Sequence, residues 1–267
     1  MINKIIHYMW FGGKEMPDDL KKNLASWKKY CPDFEFMCWD ESNFDVNMCD
    51  FTRQTFETKK FGFLSDYVRL YALKKYGGIY LDLDIEMLKP IDDLLENDSF
   101  IGFENKYWCG STPVGGQGEW IDDLLEIYNK RDFIVDGKMQ MIPAPVIFTD
   151  VLVKKYGLIQ NNTLQKFGGL TVYPDDYLSP KNFWTGEIKT TENSYFIHYY
   201  AASWFGAKDK IANFFGHMLK GIIGNKNYNN IIEKASLSDG KKKMKALNKA
   251  LKKKEERLKK QVLKNQK

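Results

Sequence analysis

The chain has 267 residues, 43% of them hydrophobic and 15% aromatic, enough to bury a sizeable core and too apolar for a disordered protein. Its net charge of +5 is uneven: residues 241–267 hold 13 Lys or Arg against Glu255 and Glu256, a balance of +11, so residues 1–240 carry −6. No apolar run reaches the roughly 18 residues that would cross a bilayer, and the amino terminus is too soon interrupted for a signal peptide. Cys31, Cys38, Cys49 and Cys109 form no CxxC pair and have no histidine cluster nearby. Reduced thiols and a cytoplasmic location are therefore expected, with no nucleic-acid partner.

Ile2 to Met9 reads as a buried strand that runs into the loop Trp10-Phe11-Gly12-Gly13. Pro17-Asp18-Asp19 starts a helix, with Pro tolerated in the first turn and the acids facing the positive end of the helix dipole. Leu20, Leu24 and Trp27 line its face until Pro32 stops it, and Phe34, Phe36 and Cys38 then alternate as a second strand. Strand, helix and strand in about 40 residues make a right-handed βαβ unit, which implies parallel pairing.

From Phe63 the residues Leu64, Tyr67, Val68, Tyr71 and Leu73 recur at helical spacing, and Gly77 stands where a helix ends with positive φ. Ile79-Tyr80 then leads into Asp82-Leu83-Asp84, read as a strand end whose two carboxylates share one face while Leu81, Leu83 and Ile85 point to a core. Paired hard oxygens at a strand's carboxyl end suit Mg²⁺ or Mn²⁺ holding a diphosphate. A bare Asp-x-Asp is a weak signal; its order after a helix and a glycine turn makes it specific. Asp66 and Arg69, three apart on the preceding helix, form either a surface pair of small value or a joint ligand site. Trp10 is either a core residue or a stacking face for a nucleobase.

Further on, Ser99 to Phe103 and Thr171 to Tyr173 read as strands, and Glu119 to Tyr128 and Pro143 to Tyr156 as helices. Residues 105–118 and 134–145 read as loops that shape an acceptor site. His198 follows the apolar run Tyr195-Phe196-Ile197 at a strand end and is either a packed residue or a ligand. In the tail, Met244, Leu247, Leu251, Leu258 and Val262 fall on one helical face among lysines. Such a helix can lie on an anionic membrane, stay solvated, or pack on a partner. The expected organisation is a domain over 1–240 and a basic amphipathic helix over 241–267. No nucleophile elbow, P-loop, zinc signature or Gly-x-Gly-x-x-Gly in strand-to-helix context is present. Neighbouring carboxylates on one face do not straddle a sugar ring as a glycosidase pair does.

Three stretches, Ile5 to Gly13, Phe63 to Pro90 and His198 to Trp204, resemble the DXD-containing sugar transferases of glycosyltransferase family 32, whose motif is similar to that of the large glucosylating bacterial toxins. The resemblance implies an α/β fold of GT-A-like, Rossmann type, with a mixed sheet flanked by helices. It implies an enzyme that retains anomeric configuration and needs Mn²⁺ or Mg²⁺ to move a sugar from a nucleotide sugar, foremost a UDP-sugar, to a glycan acceptor that can be lipid-linked. A bacterial capsule or surface-polysaccharide enzyme at the inner face of the cell membrane is expected; a toxin-like protein glycosyltransferase and a silent sugar-nucleotide-binding scaffold are the alternatives. By resemblance, Asp84 ligates the metal directly, Asp82 acts through water or the ribose, and His198 adds a metal or phosphate contact. Asp66 and Arg69 address the donor sugar and diphosphate. Trp10, Phe11, Tyr80, Ser203, Trp204 and Lys208 complete the donor site.

Overall fold

The computed structural model describes residues 1–200, 221 and 224–265. In chain order the elements are β1 (Ile5–Met9), α1 (Asp18–Tyr30), β2 (Glu35–Trp39), α2 (Asp50–Glu57), α3 (Phe61–Tyr76), β3 (Ile79–Tyr80), β4 (Ile85–Met87), α4 (Asp92–Leu95), β5 (Ser99–Gly102), β6 (Val114–Gly116) and α5 (Glu119–Lys130). There follow β7 (Ile134–Val135), β8 (Lys138–Met139), α6 (Ala144–Tyr156), β9 (Gln165–Phe167), β10 (Leu170–Tyr173), α7 (Asp175–Leu178), β11 (Phe196–His198) and α8 (Asn225–Asn265).

The central sheet has seven strands in the order β2-β1-β3-β6-β5-β10-β9. The β1–β2, β1–β3 and β5–β10 pairs are parallel, as the helices connecting them require, and the other three pairs are antiparallel. The sheet is thus mixed, flanked by helices. Neighbouring residues divide between two apolar clusters, Ile79 and Phe100 in one, Tyr80 and Ile101 in the other, as alternation across a sheet buried on both faces demands. One cluster carries α3, α5 and α6; the other carries Trp27 of α1 with Leu81, Leu83 and Ile85.

Three expectations need correcting. Asp82-Leu83-Asp84 is not a strand end but a turn between β3 and β4, closed by Ile85 N–H donating to the Asp82 carbonyl at 3.1 Å. The strand breaks because β4 leaves the central sheet to pair with β11, while Leu81 and Leu83 still anchor the turn in the core. Residues 105–118 are not an open loop: β6 inserts between β3 and β5, and Trp108 to Gly116 are all buried. Gly115 and Gly116 permit this insertion, since a Cβ at Gly116 would lie 2.0 Å from the Asp98 carbonyl oxygen.

The third correction concerns the tail. Helix α8 runs unbroken through residue 240, and a Cβ at Gly240 would stand 2.4 Å from the Trp108 ring, so glycine lets the helix cross that indole. Met244 and Leu247 are buried in the main cluster, with Leu237 and Leu251 packed against it, because the apolar stripe fits the body before any other surface. Lys254 bridges Asp50 and Asp132, each at 2.8 Å. Only Leu258 and Val262 of the stripe remain exposed.

Candidate active site

The site begins at the end of α3. Gly77 caps the helix at φ +68 and Gly78 follows at φ +78, where a Cβ would meet the Ile5 carbonyl oxygen at 2.6 Å. That double turn feeds β3 beside β1, and Leu81 N–H donates to the His7 carbonyl at 3.0 Å. His7, fully buried, closes the turn from below: one ring nitrogen, Nε2, lies 3.0 Å from the Gly77 carbonyl, and Trp39 Nε1 donates to the other, Nδ1, at 3.3 Å. An indole N–H can only donate and a carbonyl can only accept, so the ring is neutral with its proton on Nε2. Burial pushes its pKa down to about 4.

The Asp-x-Asp turn is then fixed from two sides. Asp82 N–H donates to Thr112 Oγ1 at 3.1 Å, and Tyr199 N–H donates to the Asp84 carbonyl at 2.8 Å. The β4–β11 register sets His198 opposite Ile85, one residue from Asp84, which brings His198 Nε2 to 3.2 Å from Asp84 Oδ1. Ligand atoms of Asp82, Asp84 and His198 all lie within 4.8 Å of one another. His198 Nδ1 is buried with no hydrogen-bond partner among the described residues, and Tyr200 stacks on the ring at 4.0 Å between centroids. Burial works against a charge on His198, but Asp84, with Asp82 and Glu104 behind it, outweighs that and raises its pKa.

Arg69 organises the inner side. Its Nε donates to the Ser65 carbonyl at 3.0 Å, Nη1 to the Ser111 carbonyl at 2.7 Å and Nη2 to Ser65 Oγ at 2.8 Å. Nη2 also lies 3.3 Å from Asp66 and 3.6 Å from Asp82, and the guanidinium stands over the Tyr80 ring at 5.0 Å. Burial disfavours the Arg69 charge, but Asp82 and Asp66 more than offset it. Asp66 is buried enough to push its carboxyl up to about 7 despite Arg69. Burial, then Asp82, drives the Tyr80 hydroxyl well above its ordinary range. The i,i+3 pair is therefore a buried brace on Asp82 and not a surface ion pair.

The other sequence candidates fare differently. Phe11 is 5% exposed and packs among Phe44, Phe56 and Phe61 at 6.1 to 6.2 Å, which leaves no free face for a base and corrects its assignment to the donor site. Trp10 is half-buried, with its indole N–H donating to the Lys14 carbonyl at 2.6 Å. Ser203, Trp204 and Lys208 lie outside the described residues.

Two site residues escape the sequence reading. Glu104, just past β5, sits within electrostatic reach of His198, Arg69 and Asp82, and burial pushes its carboxyl up to about 7. An acid directly after a strand was the available signal. Lys181 lies within reach of Asp84, its Nζ donating to the Tyr199 carbonyl at 2.8 Å; nothing in its local sequence marks it.

Residues 17–101 match the family described as a glycosyltransferase sugar-binding region containing a DXD motif. It is similar to inositol phosphoceramide mannosyltransferase 1 of Schizosaccharomyces pombe, 29% identical over 130 residues that cover 42% of this chain and 39% of that protein. Inositol phosphoceramide mannosyltransferase 2 of the same yeast is 26% identical over 215 residues, 76% of this chain and 58% of the relative. Among solved structures, the PaToxG glycosyltransferase aligns over 58% of this chain and 70% of its own, at 18% identity and a TM-score of 0.45. The matches with inositol phosphoceramide mannosyltransferases 1 and 3 span only 39% and 29% of those relatives' lengths. No helix among the described residues is long and apolar enough to cross a membrane.

Proposed function

We propose that this chain is a metal-dependent glycosyltransferase that moves a sugar from a nucleotide sugar to a glycan or lipid-linked acceptor with retention of configuration. The observation that carries the reading is the meeting of His198 with Asp82 and Asp84, the two acids of the stretch that matches the DXD family. Two carboxylates and an imidazole fit Mn²⁺, and less well Mg²⁺, which prefers oxygen alone. The Nδ1 of His198, without a partner among the described residues, and the turn's fixed backbone agree with a preformed donor set. When bound, such a cation supplies Lewis-acid stabilisation of the departing diphosphate.

The chain's own residues do the rest. Asp84 and His198 are the ligands, and Asp82 is the second carboxylate, directly or through water or the ribose. Arg69, 3.6 Å from Asp82, orients that carboxylate, and Asp66 keeps Arg69 in place. Lys181 adds positive charge on the phosphate side. In a front-face displacement the leaving phosphate takes the acceptor's proton, so no enzyme base is required. The relatives' names concern mannosyl transfer to a ceramide lipid in yeast, which adds a mannosyl nucleotide to the UDP-sugars as a donor and a polar lipid headgroup to the acceptors. They lend no weight to a bacterial capsule role. Leu258 and Val262, exposed among Lys252, Lys253, Lys259 and Lys260, support a peripheral contact of the outer α8 turns with an anionic membrane.

Incubation with Mn²⁺ and a panel of UDP-sugars and GDP-mannose tests the reading. Donor hydrolysis or transfer is expected for at least one donor, lost on chelation and reduced at least about a hundredfold in Asp84→Asn. Proton NMR of the released sugar should show the donor's anomer. If no donor turns over the reading falls, and donor binding without turnover would make the chain a silent scaffold.

A further inference from the structure

The donor site described above has ligands for a metal and charge for a diphosphate, but nothing assigned to read the sugar itself. Asp66 and Arg69 are 4% and 2% exposed and occupied by one another and by Ser65 and Ser111. Glu104 is different. Its backbone is pinned: its N–H donates to the Trp108 carbonyl at 2.9 Å, and buried Asn105 closes the turn by accepting from the N–H groups of Tyr107 and Trp108 at 3.0 and 3.2 Å. The side chain lies across Gly110, where a Cβ would come 2.7 Å from Cγ and 3.0 Å from Oε1, so only glycine leaves it this course. It is half-buried, and among the described residues its carboxylate has no hydrogen-bond or ion-pair partner, although His198, Arg69, Asp82 and Tyr200 all act on it or feel it. An acceptor held by a pinned backbone and by Gly110, with no donor to it among the described residues, at the carboxyl end of a sheet strand and within electrostatic reach of His198, Asp82 and the buried arginine, awaits a hydroxyl-bearing ligand.

We propose that Glu104 is a sugar-binding residue, its carboxylate accepting hydrogen bonds from hydroxyls of the sugar joined to the diphosphate. The proposal rests on the nucleotide-sugar reading above. The transferred sugar is the ligand part next to the diphosphate, and a carboxylate is the usual partner for vicinal hydroxyls because it accepts with both oxygens. Repulsion by the diphosphate's own charge makes a direct phosphate contact the wrong role for it.

Calorimetry of Mn²⁺-saturated protein with UDP, GDP and the corresponding UDP-sugars and GDP-mannose tests this. Glu104→Gln should bind the free diphosphate within about twofold of the unaltered chain, yet lose about tenfold or more in affinity for the sugar nucleotide that chain prefers, the usual cost of removing a charge-assisted hydrogen bond. Glu104→Asp keeps the charge but withdraws the oxygens, and should lose a similar factor. Equal loss for diphosphate and sugar nucleotide would mean a general electrostatic effect and overturn the proposal, as would unchanged donor binding with lost transfer, which would assign Glu104 to the acceptor. Full binding by Glu104→Asp beside weak binding by Glu104→Gln would also overturn it. Failure of the unaltered chain to bind any diphosphate with Mn²⁺ removes the underlying reading instead.

Discussion

His7 is held by two neighbours that between them admit only the neutral ring. A second proton would set Nδ1–H against the Trp39 N–H and place a charge in a fully buried position. The folded-state pKa of about 4 lies below the unfolded value of 6.5, so between those limits the unfolded chain binds more protons. Stability contributed by neutral His7 is therefore complete above pH 6.5 and lost as pH falls toward 4. Between pH 7.5 and 5 the loss from this one residue is roughly 2 kcal/mol. Urea unfolding of the intact chain and of His7→Gln at both pH values checks it: the variant, less stable at pH 7.5, should show a pH dependence smaller by about that amount. Because the Gly77 carbonyl held by His7 belongs to the turn before Asp82, acid should also loosen the Asp82–Asp84–His198 cluster ahead of global unfolding.

The α3–turn–β3 connection is the element on which the site depends. Gly78 combines φ +78 with 2.6 Å between an added Cβ and the Ile5 carbonyl oxygen, which is backbone and cannot move aside without disturbing the β1–β3 pairing. Gly78→Ala should therefore destabilise by about 2 kcal/mol or more from left-handed strain and overlap together. A thermal melt measures this, and Mn²⁺ affinity should fall more than in Gly13→Ala. Gly13 also has positive φ, at +63, but nothing lies within 4 Å of its added Cβ. Equal effects of the two substitutions would show that strain alone matters and that the β1 contact does not position the site.

Taken as one body, the molecule uses its basic helix as part of the core. Removing everything after Gly240 takes away buried Met244 and Leu247, each worth about 1.5–3 kcal/mol, and leaves Asp50 and Asp132 without Lys254. Truncation after Gly240 should lower unfolding free energy by several kcal/mol in urea titrations. Truncation after Glu256 removes only exposed stripe residues and should change stability little, while weakening any salt-sensitive sedimentation with anionic vesicles. If both truncations leave stability untouched, the packing of α8 on the body is wrong.

The helix over Phe61–Tyr76, its glycine stop and the βαβ start were legible in the chain itself, because each follows from local spacing, capping and alternation within a few residues, whereas Asp82 and Asp84 meet through a turn and not through the strand alternation the sequence suggested. The likeness to the DXD family was legible too, through the order of helix, glycine turn and Asp-x-Asp. Local pattern could not show that β4 leaves the main sheet, that β11 returns more than a hundred residues later to set His198 against Asp84, or that β6 occupies a central place. Those are pairings between distant segments, chosen by competition for sheet edges and not by any local preference. The same limit explains the tail, whose periodicity gave an apolar face but not the surface it would cover, and Glu104 and Lys181, whose importance comes only from what the fold brings beside them.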